Sequence, residues 1–99
     1  MIAVLGSFRF PEDKLDAARR LMREVIEATR DEPGCRAYSY AEDVAGPGLF
    51  RVTELRDGRE ALAAHFETPH MRAWITRREE VGFFDREVIL YELGPSESV

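Results

Sequence analysis

Glu54-Leu55-Arg56-Asp57-Gly58-Arg59-Glu60-Ala61-Leu62-Ala63-Ala64-His65-Phe66-Glu67-Thr68-Pro69-His70 is the stretch on which the fold turns. A strand ends at Glu54 or Leu55. Asp57, with Glu60 three residues on, has the form of a capping box, so a helix is expected over about 58–67. Thr68-Pro69 then restarts a helix through about Glu80, because proline suits a first helical turn and threonine suits the cap before it. Both histidines of the chain, His65 and His70, lie here, five residues apart. They are the groups best placed to handle protons near neutral pH.

Upstream, residues 2–10 alternate as a strand, with Ile2, Val4, Phe8 and Phe10 on one face and Ala3, Leu5, Ser7 and Arg9 on the other. From Pro11 to about Asp31 the apolar positions Leu15, Ala18, Leu21, Met22, Val25 and Ala28 make one helical stripe. Glu32-Pro33-Gly34 stops that helix. Residues 35–42 and 49–55 read as two strands joined by the turn Ala45-Gly46-Pro47-Gly48, hence an antiparallel hairpin. Downstream of the helices, residues 86–93 alternate again, with Val88 and Leu90 opposed to Ile89, Tyr91 and Leu93. Residues 94–99 read as a polar, flexible tail after a single domain over 1–93. The order β-α-β-β-α(α)-β is that of a ferredoxin-like split βαβ, an α+β fold with a four-stranded antiparallel sheet and helices on one face. The first and last strands are apolar on both faces, whereas the chain's helices can cover only one. A second copy of the sheet is the simplest cover, so a homodimer is expected.

The totals agree with one small domain. The chain has 99 residues, 44% of them hydrophobic, ten aromatic side chains and a net charge of −5. No basic block supports nucleic-acid binding, and no stretch is apolar enough to span a membrane. Met1–Leu5 lacks a basic leader and a cleavage signature, and Cys35 is the only cysteine, so a cytoplasmic location is expected. Asparagine and glutamine are absent altogether. An oxyanion would therefore be met by backbone N–H, arginine, histidine, tyrosine or a hydroxyl.

Glu32-Pro33-Gly34-Cys35-Arg36-Ala37-Tyr38, Phe50 to Glu54, Ala61-Leu62 with His65, and Thr68-Pro69-His70 together resemble the antibiotic biosynthesis monooxygenase domain family, over nearly the whole chain and in the same order. The resemblance implies a dimeric α/β barrel with a pocket between sheet and helices in each subunit. The activities it implies range from cofactor-free oxygenation of phenols and quinols to haem degradation and isomerisation. Leu55 stands where the family often has tryptophan, and the asparagine of the phenol oxygenases and haem degraders is missing. Trp74 or Ile75 occupies the region of the expected haem-ligating histidine. These departures point away from haem degradation and from a close copy of the polyketide enzymes.

The candidate site residues follow. His65 falls beside Ala61, Leu62 and Phe66 on the sheet-facing arc, as a general base or as a histidine holding helix to sheet. His70, in a first helical turn, is a reserve base or a junction-fixing residue. Trp74 and Phe66 are an aromatic wall or plain core. Tyr38 and Tyr40 point the same way from one strand, to orient a substrate oxygen or to cover the open face of the sheet at a dimer contact. Arg51 is an oxyanion partner or an ion-pair partner, for instance of Glu54 or Glu42, and Glu54 itself is expected to pair with a buried base or arginine. The spacing of His65 and His70 across a proline break is unlike that of helical zinc sites, and no glycine loop serves a phosphate, so no metal, flavin or nicotinamide is expected. The reading that results is a monooxygenase of an electron-rich aromatic, a quinol or polyphenol, using dioxygen directly. An isomerase of a small carbonyl metabolite and a non-catalytic ligand-binding dimer are the alternatives.

Overall fold

Alternating apolar residues set the sheet. In the computed structural model, which describes residues 1–99, β1 spans Ile2–Arg9, β2 Cys35–Glu42, β3 Leu49–Arg56 and β4 Phe84–Glu92. The sheet order is β2-β3-β1-β4, and every neighbouring pair is antiparallel. Three helices cross one face: α1 over Leu15–Arg30, α2 over Arg59–Phe66 and α3 over Pro69–Glu80. This is the ferredoxin-like α+β arrangement that the element order implies.

Phe8, Phe50 and Val52 from the sheet and Phe10 just beyond β1 meet Ala18, Leu21, Met22 and Val25 of α1, with Met71 and Trp74 of α3 closing the core. Phe8 stacks on Phe50 at 5.8 Å between ring centroids and meets Tyr40 edge-on at 5.1 Å. Burying each large apolar side chain contributes about 1.5–3 kcal/mol, so this cluster supplies much of the drive to fold. The opposite face of the sheet is bare: Leu5, Ile89 and Tyr91 are 42%, 50% and 48% exposed.

Several boundaries differ from those the sequence suggests. A short 3-10 turn, Glu12–Lys14, precedes α1. Gly58, not Asp57, is the N-cap of α2, and no side chain caps that end. Asp57 instead accepts from Arg36 Nε at 2.5 Å, an ion pair available because both lie near the β2–β3 edge. Thr68 does cap α3: its hydroxyl accepts from Met71 N–H at 3.3 Å and donates to the His65 carbonyl at 2.7 Å. One hydroxyl thus sews the end of α2 to the start of α3. β4 begins at Phe84, with Asp85 in the left-handed region at φ 52° and a register shift opposite Ser7–Arg9. Gly6 permits that pairing, since a Cβ there would lie 2.0 Å from the Glu87 carbonyl oxygen.

Candidate functional site

Strand periodicity turns Tyr38 and Tyr40 of β2, and Val52, Glu54 and Arg56 of β3, toward the helices. Tyr38 sits opposite Glu54, and Tyr40 opposite Val52. α2 lays Leu62, His65 and Phe66 over them. Between these elements lies a cavity of about 150 Å³, walled by Tyr38, Tyr40, Glu54, His65 and Phe66 and continued by Arg78 of α3 and Arg86 of β4. A groove of about 700 Å³ beside Gly34 and Glu92 is larger, but it is open and no histidine or tyrosine lines it. Its Arg59 and Glu92 pair with each other at 3.0 Å. The aromatic cavity, the less open of the two, is the better place for chemistry.

Behind the cavity lies a chain of charge. Arg56, fully buried, donates through Nε to the Glu54 carboxylate, which is 4% exposed. Its Nη1 donates to Glu32 Oε1 at 2.9 Å and to the Ala61 carbonyl at 3.3 Å. The other Glu32 oxygen bonds His65 Nδ1 at 2.8 Å and His70 Nε2 at 2.5 Å. A carboxylate only accepts, so both ring nitrogens donate to it, which fixes the tautomers. His65 Nε2 then carries the lone pair, has no protein partner, and belongs to a ring that lines the cavity.

The electrostatics follow from this geometry. Burial pushes Glu32 up, but hydrogen bonds from His65, His70 and Arg56 outweigh it and hold the carboxyl below its usual value. Burial pulls His65 down, and its bond to Glu32 only partly opposes that, so the imidazole is neutral at pH 7. Burial also raises both phenols, Tyr40 to about 12 and Tyr38 further. Both stay protonated at neutral pH, and their hydroxyls are bonded to each other, which leaves one O–H between them for another partner.

Glu32, His65 and His70 present donor atoms that all lie within 4.8 Å of one another, and by residue type they could ligate a divalent ion. Here the same atoms are hydrogen-bonded to one another, and the Arg56 guanidinium occupies the other Glu32 oxygen. A fixed positive charge at that distance opposes a cation, so the cluster is better suited to holding a proton.

The candidate residues therefore divide. His65, Tyr38, Tyr40, Phe66 and Glu54 meet at the cavity. His70 supports His65 through Glu32 and lies away from the cavity wall. Trp74, 3% exposed, is a core residue whose ring lies 5.8 Å from that of Tyr40. Arg51 points to the opposite face of the sheet and pairs with Asp43 at 3.0 Å. Glu54 has an arginine partner, but it is Arg56. Glu32 did not emerge from the sequence as a site residue, because Glu32-Pro33-Gly34 reads first as a helix stop. Arg56 carried a signal, standing two positions from Glu54 on one strand and so on the same face. Arg78 and Arg86 carried none.

A four-stranded antiparallel sheet under three helices, with a partly buried carboxylate–histidine cluster beside a pocket between the layers, defines a ferredoxin-like α+β protein. Residues 1–77 match the family model described as antibiotic biosynthesis monooxygenase, and the chain belongs to that family. It is 34% identical over 95 residues to the Mycobacterium tuberculosis protein named "Putative monooxygenase Rv0793", covering 95% of this chain and 90% of that one. An uncharacterised protein of Synechocystis is 29% identical over 98 residues, covering 99% of this chain and 67% of its own length. Among solved structures, a Deinococcus radiodurans protein titled as a "putative antibiotic biosynthesis monooxygenase" superposes with a TM-score of 0.93 at 27% identity, covering 100% of this chain and 98% of that one.

Proposed function

We propose that this protein is a monooxygenase that oxidises an electron-rich, single-ring aromatic such as a quinol, without metal or flavin. The observation that carries this reading is the His65 imidazole on the wall of the aromatic cavity, its Nδ1 bonded to Glu32 and its Nε2 free. A cavity of about 150 Å³ is the size that accepts a benzene ring. That favours a monocyclic quinol over a polycyclic phenol.

His65 Nε2 takes a phenolic proton, and Glu32 steadies the imidazolium that results. The phenolate gives one electron to dioxygen, the two radicals join as a carbon-bound peroxide anion, and the His65 imidazolium returns its proton to give the hydroperoxide. Loss of water leaves a carbonyl. For a simple quinol the sum is quinol plus O₂ to hydroxyquinone plus water, with one oxygen atom in each product. The one tyrosine O–H not used in the Tyr38–Tyr40 bond donates to the substrate oxygen that stays in place, and the aromatic walls keep water from the radical pair. Loss of quinol should require dioxygen. Equal rates in aerobic and anaerobic solution would overturn the oxygenase reading, and deuterium exchange at carbon without oxygen uptake would favour an isomerase.

The functional unit in this proposal is a homodimer. Leu5 pairs with Ile89 and Ala3 with Tyr91 on the bare face of the sheet, making an apolar stripe that a second sheet would cover.

A further inference from the structure

Two arginines stand at the cavity with nothing to hold. Arg78 and Arg86 both line it, yet neither side chain takes part in an ion pair or a hydrogen bond, and Arg78 Nε is buried without a partner. Eight other arginines of the chain are paired with carboxylates: Arg9, Arg19, Arg36, Arg51, Arg56, Arg59, Arg72 and Arg77. The one acid of the cavity wall, Glu54, is already bonded to Arg56. An unpaired guanidinium that is half-buried is costly, more so beside a second one. Burial and the neighbouring Arg86 both weaken the hold of Arg78 on its proton.

The local structure keeps the pair there all the same. The Arg78 guanidinium lies over the Phe83 ring at 4.2 Å and near Trp74 at 5.6 Å, so its plane is held by aromatic faces. Its remaining N–H groups are left for a planar anion. Arg78 lies in the last turns of α3. The turn through Val81 and Gly82, with Gly82 at φ 94°, brings the chain back so that Arg86 lies beside it. A chain of net charge −5 thus places unpaired positive charge on the wall of its aromatic cavity.

We infer that the cavity takes an aromatic acid: a single ring seated among the aromatic walls, with its carboxylate held by Arg78 and Arg86. The inference rests on the cavity being the substrate site, and it narrows the proposed quinol to one bearing a carboxylate. It does not depend on oxygenation.

Anaerobic calorimetric titration tests it with three probes: 2,5-dihydroxybenzoate, its neutral amide 2,5-dihydroxybenzamide, and hydroquinone. The wild type should bind the acid at least ~10-fold more tightly than the amide, the usual scale of a charge-assisted, two-point contact. Arg86→Met, at an exposed position that tolerates change, and Arg78→Met should each remove that preference. Arg78→Lys and Arg86→Lys should restore part of it, and His65→Ala should leave it unchanged. Equal binding of acid and amide, no measurable binding of the acid, or an acid preference that survives both Met variants would overturn the inference. Arginine-dependent acid binding without oxygen uptake would refute the oxygenase and leave this site standing. Oxygen uptake with hydroquinone and no acid preference would do the reverse.

Discussion

Glu32 accepts hydrogen bonds from Arg56, His65 and His70 at once, and this division of one carboxylate decides what His65 can do. One oxygen neutralises the buried arginine, and the other orients the His65 imidazole. His65→Ala should lower kcat by about 10²–10⁴-fold, the range for loss of a general base, while an assay of quinol binding changes little. In the wild type, kcat should be flat above pH 6.5 and fall as His65 protonates at a value below that. Stability should move the same way. Both Glu32 and His65 sit below their ordinary values of 4.5 and 6.5 in the folded state, so each stabilises the fold fully above that value. That contribution is lost as pH falls through the lower, folded value. Thermal unfolding followed from pH 7 to pH 3 should show this decline, and Glu32→Gln should flatten its lower limb. Arg56→Ala strands the buried Glu54 carboxylate and should cost about 3–5 kcal/mol in urea unfolding.

At the scale of elements, two glycines hold the site's geometry. Gly34, at φ 79°, lets the turn after α1 pack on α2, where a Cβ would meet that of Ala61 at 2.8 Å. That approach sets Glu32 against His65. Gly6 lets β1 and β4 pair at the register shift, and Gly6→Ala should destabilise by roughly 1–3 kcal/mol or more, read as a lower urea midpoint. The strands were legible in the sequence because one buried face imposes a period of two, as in Val4, Phe8 and Phe10. Helix α3 was legible because Thr68-Pro69 is a local signal. The site was legible only where it rests on such periods: Tyr38, Tyr40, Glu54 and His65 all fall on faces that a strand or a wheel can assign. Glu32, 33 residues from His65, was not, because the contact exists only after α1 and α2 dock. Asp57 has a capping sequence, yet its carboxylate serves Arg36 instead. Arg78 and Arg86 come together through a turn and a left-handed Asp85, which no periodicity reports.

For the whole molecule, the helices close one face of the sheet and leave Leu5, Ile89 and Tyr91 outside. If the functional unit is the dimer proposed above, sedimentation should give a mass of twice 11.3 kDa. Ile89→Glu should reduce it to one chain, because a charge would then be buried in an apolar contact. A wild-type mass equal to one chain would refute the dimer. Membership of the antibiotic biosynthesis monooxygenase family and the buried Glu32–His65 pair at an aromatic cavity both bear on one reaction. Turnover of a quinol under ¹⁸O₂ tests it most directly: one labelled atom should appear in the quinone product and the other in water, with labelled product formed about 10²–10⁴-fold more slowly by His65→Ala. Product formed under ¹⁸O₂ without label would contradict the account.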